Sequence, residues 1–148
     1  MRRTTTKIST LPVLVAPFKN LQLALRMEGV QKVIRMPDVY KSGQKTLGLA
    51  QFEHQEAIII DLHQKIYGCP NPEPERYVIV VRATGDRLFG IPVTILPIML
   101  AVPEASLRPL PPDYRQHDTL GIASHLITLE TGPDKQTMFL LDPARMFT

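Results

Sequence analysis

Gly48-Leu49-Ala50-Gln51-Phe52, followed after Glu53-His54 by Gln55-Glu56-Ala57-Ile58-Ile59-Ile60-Asp61, is the stretch that decides the fold, because the chain repeats its pattern. Gly121-Ile122-Ala123-Ser124-His125 has the same glycine, aliphatic, alanine, polar start, and Gln136-Thr137-Met138-Phe139-Leu140-Leu141-Asp142 the same apolar run into an aspartate. Ala57–Leu62 is short, β-branched and unbroken, which marks a buried strand rather than a helix. Asp61 then caps a short helix through Tyr67, with Gly68 at its C-terminal end. In the second copy Pro143 follows the aspartate, where a first-turn proline is favoured. Each half thus reads as a β unit closed by a capped helix.

Outward from the repeat, Val13–Phe18, a Lys19-Asn20 turn and Leu21–Leu25 read as a hairpin. Leu21, Leu23 and Leu25 alternate with Gln22 and Ala24, the period of a half-buried strand. Val30, Val33 and Ile34 lie in a segment that Pro37 closes. Pro70, Pro72 and Pro74, at alternate positions, hold the chain extended as a stiff linker. Tyr77–Arg82, a turn at Thr84-Gly85-Asp86, and Leu88–Val93 follow. A second proline cluster (Pro103, Pro109, Pro111, Pro112) precedes two closing strands, Gly121–Leu129 and Thr137–Leu141, turned by Thr131–Lys135. These boundaries predict a frayed arm at 1–10 and one domain at 11–148. Its lobes are expected at 11–68 and 77–148 with a linker at 69–76, and strands are free to swap between them.

Composition agrees with a globular chain: of 148 residues, 44% are hydrophobic and 21% charged, so wholesale disorder is excluded. The 14 prolines exceed the background of about 5% and, beside 8 glycines, argue against long helices. A formal charge of +3 is too small an excess to argue for nucleic-acid binding. Leu11–Ala16 is too short for a membrane span and, with Pro12 inside it, unlike a signal peptide; no export and no direct membrane insertion are expected. The one cysteine, Cys69, fits a cytoplasmic location and cannot build a cysteine metal site.

Catalysis has no foothold in the pattern. Asp61 and Asp142 are explained as helix caps rather than paired acids. His54, His63, His117 and His125 lack the spacing of a zinc site and read as surface or strand-edge residues. Ser42–Thr46 lacks the upstream glycine of a phosphate loop, and Ser124-His125 are sequence neighbours rather than a positioned nucleophile and base. No cofactor and no metal are expected. A small β-barrel that binds nucleic acid is the alternative reading, but there is no Trp and the aromatic residues are scattered. Arg26, Lys32 and Arg35 read as a solvated face. Protein binding is what remains.

Four stretches resemble one family, the CheW-like adaptor domain of bacterial chemosensory systems, over nearly the whole chain from about Val13 to Phe147. Leu21–Met36 looks like the family's strand and Val-x-x-Val segment. Leu47–Leu62 is similar to its Gly-Val-x-Asn-Leu-Arg-Gly…Pro-x-x-Asp-Leu signature. Tyr77–Pro112 resembles the strand pair and proline-rich segment that open the second lobe, and Gly121–Phe147 the closing Gly-Ile-x-x-Leu…Leu-Asp pattern. The resemblance implies a mainly β fold of two five-stranded SH3-like barrels related by a pseudo-twofold. It also implies a non-catalytic adaptor bridging chemoreceptor cytoplasmic tips to the regulatory domain of a histidine kinase, with a response regulator as a further partner.

By the same resemblance Val30 and Val33 line the groove that takes receptor helices, Gln51 stands on the signature Asn, and Gly90 and Val93 on the second-lobe motif. The chain departs from the pattern at Glu53 for Arg, His54 for Gly, Ile58 for Pro and Thr94 for Asp. A charge reversal at an interface changes partner choice. The expected protein-binding set is therefore Val30, Val33, Gln51, Glu53, His54, Val93 and Thr94, in a divergent member of the family.

Overall fold

The computed structural model describes residues 9–41, 43, 46–82, 87–111, 121–131 and 133–146. The arm at 1–8, Ser42, Gln44 and Lys45, the turn at 84–86, Pro112, His117, Gly132 and Phe147 lie outside the described residues. The chain runs through β1 (Thr10–Phe18), β2 (Leu21–Arg26), β3 (Val30–Arg35), β4 (Tyr40–Lys41), β5 (Leu47–Phe52), β6 (Gln55–Ile60) and α1 (Leu62–Tyr67). It continues through β7 (Tyr77–Arg82), β8 (Leu88–Val93), β9 (Ile98–Pro103), β10 (Leu107–Pro109), β11 (Ala123–Thr131), β12 (Asp134–Leu141) and α2 (Pro143–Met146). Thr10, expected in the arm, pairs with Pro103, and the Glu104 N–H donates to the Ser9 carbonyl at 2.9 Å.

The strands form two six-stranded sheets, a terminal one ordered β10-β11-β12-β2-β1-β9 and a central one ordered β3-β7-β8-β6-β5-β4. Each is an SH3-like lobe. The sixth strand beyond the expected five is a short edge piece in each, the two residues of β4 and the three of β10. Read end to end, the two ladders match: β9, β10, β11, β12, β1 and β2 take the places of β3, β4, β5, β6, β7 and β8. The hairpins are antiparallel, and the same join is parallel in both, β12 with β2 and β6 with β8.

The repeat is therefore real but is cut elsewhere than the lobes expected at 11–68 and 77–148. One unit is the continuous run 30–93; the other is assembled from 98–141 and 10–26. The proline linker at 69–76 lies inside the central unit, joining α1 to β7. Pairing β12 beside β2 is what lets the N-terminal hairpin complete the terminal sheet.

Half of the sequence echo is in register and half is not. Ile60 faces Leu47 and Leu141 faces Ala123, so the runs ending in Asp61 and Asp142 coincide. The Asp61 N–H donates to Thr46 and the Asp142 N–H to Ile122, at 2.9 and 2.8 Å. On that register Leu47 matches Ala123 and Gly48 matches His125, four positions beyond Gly121; the bulge between Ala123 and His125 accounts for one of the four. Similar letters at 121–125 occupy different rungs.

Packing explains the continuous apolar strands. One core fills the space between the sheets, with Leu14, Phe18, Leu23, Ile79, Phe89 and Ile91 among its members. A second lies within the terminal sheet (Val13, Val15, Ala24, Ile127, Leu140) and a third within the central sheet (Ala57, Ile59, Val78, Val80, Leu88). The joining strands β1, β2, β7 and β8 thus bury both faces. Leu21–Leu25 is not half-buried as its alternation suggested; Ala24 is 0% exposed. Gly90 and Ala24 occupy the same rung, beside Ile59 and Leu140. A Cβ on Gly90 would stand 2.6 Å from Ile59 Cδ1 and 2.7 Å from Val78 Cγ1.

Several prolines are in strands rather than between them. Pro12 pairs only with β9, Pro17 only with β2 and Pro92 only with β7, while Pro103 and Pro109 sit in edge strands. Each occupies a rung with a neighbour on one side, where a missing N–H costs little.

Candidate protein-binding site

β3 is an edge strand, paired only with β7. Its register turns Val33 toward the core between the sheets, where Val30 and Val33 pack as partly buried residues. Lys32, pointing the other way, crosses to the tip of the β5–β6 hairpin. There Lys32 Nζ pairs with Glu53 Oε2 and lies 5.9 Å from the Phe52 ring centre. Arg82 reaches Gln31 at 3.4 Å along the same edge. The ion pair joins strands at opposite sides of the ladder, so it closes the curl of the central sheet.

Phe52 pairs with Gln55, leaving Glu53 and His54 as a two-residue turn with φ of 49° and 64°. Left-handed backbone at both positions suits a hairpin of this length, and glycine is the usual occupant. Holding two side chains there costs roughly 1–2 kcal/mol each. What results is a rigid, polar tip: Gln51, Glu53 and His54 are exposed, with the Glu53 side chain 68% accessible against 32% for Lys32.

The seven predicted residues thus separate into two places. Val30, Val33, Gln51, Glu53 and His54 share the face where β3 meets the hairpin tip, bridged by Lys32. Val93 closes β8 and is 1% exposed, so it supports its surroundings from beneath and presents no surface. Thr94, partly exposed, opens a cleft of about 420 Å³ whose walls include Pro17, Phe18, Pro70, Pro72 and Ile95. A second cleft of about 420 Å³ shares Glu73, Thr94 and Ile95 with it and extends to Leu96 and Tyr77.

Sequence reading missed the apolar surface beyond Thr94. Ile95, Leu96, Ile98 and Met99 are 54–66% exposed, on the connection into edge strand β9 and on the strand itself. The available signal was the largely apolar run Ile91–Leu100, longer than one buried strand needs. Pro92 and Pro97 within it concealed β9.

The titratable groups are mostly structural. Asp61 Oδ1 accepts from the Gln64 N–H at 3.0 Å and caps α1, and Asp142 Oδ1 accepts from the Ala144 N–H at 3.1 Å. His63, expected at the surface, is 3% exposed: α1 packs it inward, its Nδ1 2.9 Å from the Cys69 carbonyl and its ring 4.8 Å from that of Tyr67. Ser124 Oγ and His125 Nδ1 lie 2.7 Å apart, a contact between sequence neighbours at the bulge of β11. Glu75 differs from these. Its Oε2 is buried without a hydrogen-bond partner, and burial first, then the Asp61 carboxylate, push its pKa above the usual carboxylate range. Among the described residues no group of three or more His, Cys, Asp or Glu side chains is placed to hold a metal ion. Nor is any described helix long and apolar enough to cross a membrane.

Comparison with known proteins agrees with this architecture. The structure is similar to the crystal structure of the scaffolding protein TtCheW from Thermoanaerobacter tengcongensis, with a TM-score of 0.79 over 100% of this chain and 94% of that one, at 14% sequence identity. No curated protein matches the sequence. The family model for the CheW-like domain matches residues 12–148, which takes in both sheets apart from the first two residues of β1. The chain belongs to the CheW-like domain family.

Proposed function

We propose that this protein is a non-catalytic adaptor of a bacterial chemotaxis or related two-component pathway, working in the cytoplasm. It couples the cytoplasmic tip of a chemoreceptor to the regulatory domain of a histidine kinase, with a response regulator as a further partner. The observation that carries the reading is the family match over residues 12–148, across the whole of both lobes. A protein of the same fold, TtCheW, is described as a scaffolding protein, which supports it.

In this reading Val30 and Val33 offer apolar contact to a receptor helix from β3, where both are only partly buried. Gln51, Glu53 and His54 form the polar tip that selects the second partner. Glu53 in place of the signature Arg, held by Lys32, changes the charge which that partner meets. Thr94 belongs to the neighbouring cleft, with Val93 as its buried support.

A pull-down with the cognate kinase, receptor tip and response regulators tests the reading, and recovery of none of them would overturn it. Val30→Glu places a charge on the partly buried face of β3. It should weaken receptor-tip binding at least tenfold, about 1.4 kcal/mol, while the circular dichroism spectrum stays that of the wild type. An unchanged affinity removes β3 from the interface.

A further inference from the structure

Glu75 stands at the end of the proline segment, between that segment and the central sheet. Its Oε2 atom has essentially no solvent contact and no donor. It lines a small cavity of about 80 Å³ together with Lys41, Gly48, Ile59 and Asp61. The charged and titratable groups facing it are Asp61 at the cap of α1, His63 on α1 and Lys41 on β4, and the Asn71 side chain hydrogen-bonds it from the segment itself. An ionised carboxylate in such a place is costly in two ways, by lost hydration and by the like charge of Asp61.

The segment is built so that this side chain matters. Pro70, Pro72 and Pro74 have no N–H to donate, and the Glu73 N–H is spent locally on Asn71 Oδ1 at 3.0 Å. The ties to the rest of the molecule lie at its ends: His63 against the Cys69 carbonyl, and Arg76 bonded to Val93 and Met36 at 2.9 and 2.8 Å. The segment walls both clefts opposite Thr94 and Ile95, one through Pro70, Pro72 and Glu73 and the other through Glu73 and Pro74.

We propose that Glu75 is a proton-operated latch on the proline segment. With its carboxyl protonated, the segment seats against the cap of α1 and the clefts keep the shape seen here. With the proton lost to solvent, the carboxylate is driven from the cavity toward water and takes the segment with it, widening the clefts. The direction of the titration agrees: burial and Asp61 both favour the protonated form. Because the folded state then binds the proton more tightly than the unfolded chain, stability is fullest below the ordinary carboxylate range and declines as pH rises through the folded-state titration.

The test uses the full chain and needs no partner. Carboxyl carbon NMR follows Glu75 through a pH titration, with backbone amides of Asn71, Arg76 and Thr94–Leu96 read alongside. Glu75 should titrate clearly above the ordinary carboxylate range, and those amides should shift with the midpoint of Glu75. Asp61→Asn, which keeps the cap but removes the charge, should lower that midpoint. In urea unfolding, the stability of the wild type relative to Glu75→Gln should fall as pH rises, about tenfold in the folding equilibrium for each pH unit by which the Glu75 midpoint exceeds its unfolded value. If Glu75→Gln does not fold, the titrations of the wild type and Asp61→Asn decide alone. Glu75 titrating within the ordinary carboxylate range, or amides that ignore its midpoint, overturns the latch.

Discussion

β3 and β9 hold the same place in the repeat, each an edge strand paired on one side only, yet they are finished in opposite ways. On matched rungs Lys32 corresponds to Ile98, Val33 to Met99 and Arg35 to Ala101. β3 is guarded by charge, and its lysine is anchored on the opposite hairpin tip. β9 has no charged residue and leaves Ile98 58% and Met99 66% exposed. Edge strands are usually blunted by charge, proline or cover. Among the described residues, that protection comes in β9 from Pro97 and Pro103 at its ends. The comparison teaches that duplication conserves the ladder, while the edges, which carry no shared packing duty, are free to diverge.

The largest effect tests whether the matched interiors are as constrained as the edges are free. Gly90 and Ala24 share a rung but not its space. Gly90→Ala should lower unfolding free energy by about 1–3 kcal/mol, since its Cβ meets Ile59 and Val78. Ala24→Gly should cost only about 0.5–1 kcal/mol. Urea denaturation of the two variants measures the gap, and equal losses would break the matched register.

A smaller effect compares the two capped helices. Asp61→Ala should cost about 1–2 kcal/mol, because α1 buries Leu62, His63 and Ile66 behind its cap. Asp142→Ala should cost less, about 0.5 kcal/mol, since α2 has four residues and buries Met146 alone among those described. Thermal unfolding at one pH ranks them, and the reverse order would show that the second cap is the more demanding one.

The smallest effect lies on the guarded edge. A double-mutant cycle on Lys32→Ala and Glu53→Ala should return a coupling of about 0.2–1 kcal/mol, as exposed pairs do, and less at high salt. A coupling of zero would mean that the central sheet stays curled without its ion pair.

Much of the architecture was legible locally. The hairpin of β1 and β2, the unbroken β6, the Asp61 cap with Gly68 at φ 74°, and β7 with β8 all follow from short-range pattern and turn chemistry. β9 was not legible, since Pro97 and Pro103 bracket it and prolines in strands read as breaks. Of the proposed binding face, Val30, Val33, Gln51, Glu53 and His54 follow from the family pattern, whereas the Lys32 bridge that unites them was invisible. Its partners are 21 positions apart and meet only because the sheet curls. The burial of Val93 and His63 was hidden for the same reason: exposure is set by what packs across, not by neighbours in the chain.

By itself the sequence determined most of the longer strands, their caps and the fact of two copies, because alternation, turn residues and capping act within a few positions. Only the tertiary structure decided where one copy ends and the other begins. That boundary rests on Phe139 and Leu140 lying beside Leu23 and Ala24, a parallel join of the two chain ends. Its stabilisation comes from the apolar surface buried on both faces of β2, a long-range gain that no local pattern encodes.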